Sequence, residues 1–152
     1  MARLPDSSGR FRQVIILDTN VVSAMMRPPP DPAVLAVLNV RDPESIWTTS
    51  ITLFEIRQGI ERLPDSRRRA ELEAAARRAF DQMFRERVLE FDANAAHSAA
   101  ILAADRERRG APGDFRDTLI AGIVISRKAE FATRNVRHFA DLDVPVIDPW
   151  FT

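Results

Sequence analysis

The sequence predicts an α/β domain with a mainly parallel central sheet of about five strands, flanked by helices. Two observations predict this fold. Short apolar runs alternate along the chain with amphipathic segments of helical periodicity, and the first run, residues 14–17, is Val-Ile-Ile-Leu without a polar interruption. Such a run is typical of a strand that is buried on both faces, as strands of parallel sheets are.

Each expected strand is a short apolar run that ends at polar or turn-forming residues. The runs are residues 14–17, 45–48, 88–91, 131–133 and 144–147. The first ends abruptly at Asp18-Thr19-Asn20, directly after its most apolar stretch. In open α/β sheets, functional sites form beyond the carboxyl ends of the strands, so this turn is a candidate site.

The helices between the strands are marked by their start and stop signals. They are expected at residues 21–26, 33–40, 51–63, 66–86, 93–109 and 115–127. Asp31, Ser50, Asp92 and Asp114 are placed to cap four of them at the N-terminus. The triplet at residues 28–30, Pro64 and Gly110 interrupt or end helices.

Length and composition limit the possible functions. The 152 residues suit one domain, expected over residues 14–152 after a flexible lead-in at 1–13. Twenty-two basic and twenty-two acidic side chains give no net charge, so a nucleic-acid site has to be a local patch. The absence of Cys excludes disulfides, thiolate zinc sites and a Cys nucleophile. No apolar run approaches a membrane span or a signal core, so we expect a cytoplasmic protein.

Three widely separated acids are candidates for chemistry. Asp18 follows the first strand, Glu55 lies among apolar residues of the third helix, and Asp117 lies in the first turn of the last helix. Each also has a structural explanation: Asp18 as a helix cap, Glu55 as a partner of a nearby Arg, and Asp117 as an acid favoured by the helix dipole. If the fold gathers them, clustered carboxylates repel one another, and a hard divalent cation such as Mg²⁺ relieves that repulsion.

The motifs around these acids resemble those of a known family. Ile-Leu-Asp18-Thr19-Asn20, the helix with Glu55, Arg116-Asp117-Thr118, and Thr133-Arg134-Asn135 occur in the order found in PIN-domain proteins. They look most like VapC-type toxins of the FitB-like branch. The resemblance covers about residues 14–151 and implies a PIN-like domain for the predicted sheet.

The resemblance implies an activity and partners. It implies an Mg²⁺- or Mn²⁺-dependent endoribonuclease that forms homodimers and is held inactive by a cognate VapB-like antitoxin. By motif match, Asp18 and Asp117 correspond to metal-binding aspartates, and Glu55 to an acid that binds the metal directly or through water. All three are therefore expected to be catalytic, with a water that is activated on the metal attacking a phosphodiester of RNA.

Neighbouring polar residues receive supporting roles. The family often has a fourth acid where this chain has Asn135, which can accept a hydrogen bond from a metal-bound water but adds no charge. Asp114 is expected mainly to cap its helix and can compensate only if it is aimed at the same centre. Asn20 is expected to orient the carboxylates, whereas Thr19 and Thr133 are expected to serve turns and caps.

Other side chains are less specific. Arg134 can steady a phosphate or form a surface ion pair, and His138 is not expected to act as a base. The basic groups at residues 67–69 and at Arg106, Arg108 and Arg109 are expected to be solvated helix faces, one of which can line an RNA groove. Trp150 and Phe151 are expected to cover the core.

Two other functions remain open. The missing fourth acid makes a non-catalytic partner possible, one that acts only by binding an antitoxin-like protein or a nucleic acid. A phosphoryl-transfer receiver or phosphatase domain also has an Asp after its first strand, but it normally needs a second adjacent acid and a well-placed Lys. The only Lys here is Lys128, at the tail of a helix, so this function ranks last.

Overall fold

The computed structural model of the chain describes residues 13–151. Its five strands are β1 Ile15–Leu17, β2 Ile46–Thr49, β3 Val88–Leu89, β4 Glu130–Ala132 and β5 Val146–Ile147. They form one sheet of order β3-β2-β1-β4-β5, in which every neighbouring pair is parallel. The predicted fold class is therefore confirmed. The predicted lead-in at residues 1–13 lies outside the described residues, except for Gln13.

In the described part of the chain, six α-helices connect and cover the strands. They are α1 Thr19–Met26, α2 Pro32–Asn39, α3 Ser50–Glu61, α4 Arg67–Arg77, α5 Ala93–Arg108 and α6 Phe115–Arg127. The prediction for residues 115–127 agrees with the structure at both ends, and Asp114 is the N-cap of that helix. Within residues 13–151, no helix is both long and apolar enough to cross a membrane.

The single long helix predicted over residues 66–86 is wrong in its second half. The α-helix ends at Arg77, and Arg78–Phe84 continues as a π-helix that stops where Arg85 takes a positive φ of 53°. Phe84 is completely buried there, and its ring centroid lies 5.6 Å from that of Phe80. Helical periodicity in a sequence does not distinguish such a wider turn from a continuing α-helix.

Several predicted boundaries shift by one or two residues. α1 begins at Thr19 rather than at residue 21, because the side chain of Asp18 accepts a hydrogen bond from the Thr19 amide. The N-cap of α3 is Thr49, not Ser50, and its hydroxyl accepts from the Thr52 amide. β4 begins at Glu130, whose carboxylate receives two hydrogen bonds from Arg41 and can therefore lie in a buried strand.

The core lies on both faces of the sheet. Ile15 and Leu17 of β1 belong to an apolar cluster shared with α1, α2 and α3, whereas Ile16 belongs to a second cluster shared with α5 and α6. Because successive side chains of a strand point to opposite faces, one uninterrupted apolar strand serves two cores. Trp150 packs against the first cluster, but Phe151 is 88% exposed, so the prediction that it covers the core is wrong.

Candidate active site

Asp18 lies at the carboxyl end of the central strand and is only 3% exposed. Its amide continues the β1–β4 ladder by donating to the Ala132 carbonyl at 2.9 Å, and its own carbonyl accepts from Val21 and Val22 at the start of α1. Strand and helix thus hold its backbone from both sides. Burial raises the pKa of Asp18 from an ordinary value of 3.8 to about 6.

Hydrogen bonds fix both carboxylate oxygens of Asp18. The hydroxyl of buried Thr133 donates to Oδ2 at 2.7 Å, and the Thr19 amide donates to Oδ1 at 2.8 Å. Both bonds lower the pKa of Asp18 and so partly offset its burial. The hydrogen bond from the Thr19 amide is a helix-cap interaction, as expected for this turn, whereas the Thr133 hydroxyl does more than serve a turn because it contacts the candidate catalytic acid.

Thr19 also connects Asp18 to Glu55. Its hydroxyl donates to Glu55 Oε1 at 3.0 Å and lies 3.1 Å from the hydroxyl of Thr52, one turn earlier on α3. Burial raises the pKa of Glu55, while the bond from Thr19 and the charge of Arg116 lower it. The Arg pairing considered for Glu55 exists as a loose contact, with Arg116 Nη1 3.9 Å from Glu55 Oε2.

Asp117 lies in the first turn of α6, with its side chain 21% exposed. Burial raises its pKa, and the charge of Asp114 adds to this effect. Nδ1 of His138 lies 3.3 Å from Asp117 Oδ2 and lowers that pKa. His138, to which the sequence assigned no role in the site, is thus a direct neighbour of a candidate ligand.

The three acids share one electrostatic environment. The charges of Asp117 and Glu55 both raise the pKa of Asp18, and the charge of Asp117 raises that of Glu55. Within the described residues, however, no three His, Cys, Asp or Glu side chains are already close enough to hold one ion. Oxygen donors that repel one another suit a hard divalent cation, and Mg²⁺ needs only one or two direct carboxylates because it keeps several waters. The donor set therefore fits a partly hydrated Mg²⁺ or Mn²⁺.

The supporting residues occupy different positions. Asn20 Oδ1 accepts from the Arg134 amide at 3.1 Å, and its Nδ2 lies 3.5 Å from Asp18 Oδ2, so it ties the β4 turn to the acid. Asp114 caps α6 by accepting from the amides of Arg116 and Asp117. The Asn135 amide donates to the Thr133 hydroxyl at 3.0 Å, which places Asn135 directly behind the donor to Asp18.

Arg134 is held by an aromatic ring. Its guanidinium carbon lies 3.7 Å from the centroid of the Trp150 ring, and the indole Nε1 of Trp150 donates to Asp31 at 3.0 Å. A cation over a ring face is attracted by the ring quadrupole. The guanidinium is therefore held by a stacking contact, while its phosphate-binding role stays a prediction.

Arg106 does not lie on a solvated face, so that prediction is wrong. Its side chain is 5% exposed and makes two 2.8 Å hydrogen bonds to Asp141. Further bonds reach the hydroxyl of Thr118 and the carbonyl of His138. The buried side chain of Arg106 thus connects α5 to α6 and to the segment that contains His138, the neighbour of Asp117.

Residues 15–145 match the PIN-domain family. The chain is a member of the PIN-domain family. The predicted resemblance to this family is therefore confirmed.

Relatives of this PIN domain match along almost its whole length. It is 32% identical to plasmid stability protein StbB of Pseudomonas syringae pv. tomato, over 90% of this chain and 99% of the relative. It is 31% identical to VapC ribonuclease Y4jK of Sinorhizobium fredii, over 90% and 98%, and 30% identical to toxin FitB of Neisseria gonorrhoeae, over 90% and 99%. The resemblance to the VapC type and its FitB-like branch is thus confirmed as well.

Solved structures agree with these relatives. The PIN domain superimposes on a chain of FitAB bound to an IR36 DNA fragment with a TM-score of 0.82, at 29% identity over 91% of this chain and 97% of that chain. It also superimposes on a chain of VapBC-5 from Mycobacterium tuberculosis, of the VapBC family of toxin–antitoxin systems. There the TM-score is 0.67, at 27% identity over 90% of this chain and 98% of the other.

Proposed function

We propose that this PIN domain is a metal-dependent endoribonuclease and the toxin component of a type II toxin–antitoxin module. The setting of Asp18 supports this most directly. Its carboxylate is only 3% exposed, accepts two hydrogen bonds and is influenced by the charges of two further acids. Ionising such a buried carboxylate costs free energy unless a cation compensates its charge. Perturbed acids of this kind concentrate at functional sites.

Asp18 and Asp117 would hold the ion, with Glu55 binding it directly or through water. Mg²⁺ or Mn²⁺, when bound, supplies positive charge against a phosphate and lowers the pKa of a water molecule. Thr133 and the Thr19 amide keep the Asp18 carboxylate in one orientation, and the Thr19 hydroxyl does the same for Glu55. A pKa of about 6 leaves Asp18 mostly ionised at neutral pH.

The names of the relatives support the nuclease and the toxin. One is a VapC ribonuclease and another is toxin FitB, and each matches 90% of this chain. Because similar chains occur in FitAB and VapBC complexes, we infer that this chain also has an antitoxin partner of the VapB type. We also expect the homodimer that the family resemblance implies.

Cleavage of RNA by the purified chain tests the activity. Fluorescently labelled single-stranded RNA should be cut internally in Mg²⁺ or Mn²⁺ and left intact in EDTA. Asp18→Asn and Asp117→Asn should abolish cleavage, whereas Glu55→Gln should mainly raise the Mg²⁺ concentration required. Asp65→Asn is the matched control, because Asp65 is exposed in the turn before α4 and should be dispensable.

Two results would count against the nuclease. One is metal-dependent cleavage that survives in Asp18→Asn or Asp117→Asn, since the activity would then come from a contaminant or another site. The other is intact RNA under all metal conditions, which would favour the non-catalytic binding partner. A co-purifying small protein that binds wild type and variants alike would support the antitoxin partner separately from the chemistry.

A further inference from the structure

Two exposed phenylalanines lie close to the candidate acids in sequence, at or near the ends of the helices that carry Glu55 and Asp117. Phe54 is 52% exposed and directly precedes Glu55, and Phe115 is 75% exposed and lies two residues before Asp117. The other exposed large apolar side chains among residues 13–151 are Val40, Ile101 and Phe151. None of those three adjoins a candidate ligand in sequence, so the exposure of Phe54 and Phe115 calls for a specific explanation.

Arg116 connects one of these rings to the acids. Its guanidinium carbon lies 5.6 Å from the centroid of the Phe54 ring, and its Nη1 lies 3.9 Å from Glu55 Oε2. The side chain of Arg116 is 43% exposed, and its contact with Glu55 is longer than a hydrogen bond. The cation therefore keeps donors for another anion while the ring holds it at the edge of the site.

We propose that Phe54, Phe115 and Arg116, together called the aromatic rim, bind a nucleotide of single-stranded RNA next to the bond that is cleaved. The rings stack on a nucleobase, and Arg116 contacts the adjoining phosphate. Unpaired bases offer a face that duplex RNA keeps inside its stack, and aromatic side chains are the usual platform for them. The inference rests on the proposed function, because the acids beside the rim would hold the reacting phosphate.

A single-stranded nucleic acid explains the rim better than a second copy of the chain. A guanidinium between a ring and a carboxylate matches a ligand that is apolar at its base and anionic at its backbone. An apolar contact between two copies would bury Arg116 with its charge only loosely paired, which is costly. Self-association through this face is therefore an outcome that the test must distinguish.

Binding of two matched RNAs tests the proposal without cleavage. A fluorescein-labelled single-stranded RNA of mixed sequence is compared, by fluorescence anisotropy in EDTA, with an abasic strand of the same length. The full-length protein should bind the RNA with bases about tenfold more tightly than the abasic strand. Phe54→Leu and Phe115→Leu should each reduce this ratio several-fold, and Phe115→Trp should retain it.

Phe151→Leu is the matched control, because it removes another exposed ring that lies outside the rim. Its binding ratio should equal that of the wild type, and thermal unfolding should show that all variants fold. Equal binding of both strands by the wild type, or ratios unchanged in Phe54→Leu and Phe115→Leu, would overturn the proposal. So would variants that dissociate an oligomer in sedimentation velocity while their binding ratio stays unchanged.

The outcome is separable from that of the nuclease assay. A chain that never cuts RNA in Mg²⁺ but discriminates the two strands through Phe54 and Phe115 would refute the proposed function and retain the rim. A chain that cuts RNA but binds both strands equally would retain the proposed function and refute the rim.

Discussion

The hydroxyl of Thr133 donates to Oδ2 of Asp18 at 2.7 Å, and both side chains are buried. The two residues are 115 positions apart in the chain and meet because β1 pairs with β4, with Leu17 opposite Ala132. Each strand delivers its next residue to the same edge of the sheet. A neutral hydroxyl thereby stabilises the ionised form of the candidate catalytic acid.

Removing this hydroxyl should weaken metal binding at neutral pH. Thr133→Val keeps the shape of the side chain but removes the donor that lowers the pKa of Asp18. That pKa should rise further above 6, so fewer molecules carry the ionised carboxylate at pH 7. In isothermal titrations with Mn²⁺ between pH 5.5 and 8, each unit of added pKa shift should weaken binding by about twofold at pH 7 and by nearly tenfold at pH 5.5, because the ionised fraction of Asp18 falls by these factors.

Thr48→Val is the control for this experiment. The hydroxyl of Thr48 is also buried, but it donates to the Leu17 carbonyl rather than to an acid. Its loss should lower the free energy of unfolding by about 1 kcal/mol and leave the pH dependence of Mn²⁺ binding unchanged. If both variants shift that pH dependence alike, Thr133 has no special role at Asp18.

Asp18 should reduce the stability of the metal-free protein. Its pKa is higher in the folded state, about 6, than its ordinary value of 3.8, so the folded state binds a proton more readily. The contribution of Asp18 to stability should then be most favourable below pH 4 and become less favourable as the pH rises towards 6. Two units correspond to about 3 kcal/mol, so Asp18→Asn should raise the free energy of unfolding at pH 7 by roughly 1–3 kcal/mol.

Urea denaturation in EDTA measures this difference. The advantage of Asp18→Asn over the wild type should be present at pH 7 and small at pH 4, where both side chains are neutral. Mg²⁺ should stabilise the wild type and have little effect on the variant. A variant that is less stable than the wild type at pH 7 would show that the carboxylate serves the fold rather than a cation.

The sequence indicates the elements and the candidate acids, but not the contacts between them. An uninterrupted apolar strand that ends in Asp18 is visible locally, and so is the capping Asp114 before the helix of Asp117. The bonds from Thr133 to Asp18 and from Thr19 to Glu55 depend on strand register and helix packing, so spacing alone could not predict them. The position of His138 beside Asp117 likewise depends on a distant contact, because Arg106 of α5 donates a hydrogen bond to the carbonyl of His138.

Arg106 shows most clearly why a local pattern was misleading. It lies near Arg108 and Arg109 at the end of an Ala-rich helix, and such groups are usually solvated. Asp141, 35 residues later, provides the partner that makes its burial possible. The sequence contains many acids far from Arg106, and their separation along the chain does not reveal which of them pairs with it in the folded protein.

The Arg106–Asp141 pair should be essential for stability. Asp141→Asn leaves a buried guanidinium without its counter-charge, which should lower the free energy of unfolding by about 3–5 kcal/mol. Arg109→Ala is the control, since Arg109 contacts the same carboxylate but is 47% exposed, and its loss should lower the free energy of unfolding far less than that of the buried pair. Similar losses in both variants, measured by urea denaturation at pH 7, would contradict a specific role for the buried pair.

The same pair gives acid sensitivity of the opposite sign to that of Asp18. The Arg106 guanidinium holds the pKa of Asp141 well below its usual range. Its stabilising contribution is therefore present above the ordinary pKa of 3.8 and is lost as the pH falls below that value. The wild type should lose stability below pH 4 more steeply than Asp141→Asn, and parallel urea-stability curves at pH 2–4 would exclude this explanation.

Close packing of α5 against α6 makes Gly122 sensitive to a single methyl group. A Cβ at Gly122 would lie 2.5 Å from the Ala95 carbonyl oxygen and 2.6 Å from the Ala99 Cβ, so the helices would have to separate. Gly122→Ala should lower the free energy of unfolding by about 1–3 kcal/mol. Gly59→Ala, in α3, meets no atom within 4 Å and should raise it by about 0.5–1 kcal/mol, because Ala favours a helix. Opposite shifts in melting temperature are therefore expected, and two shifts of the same sign would contradict the packing explanation.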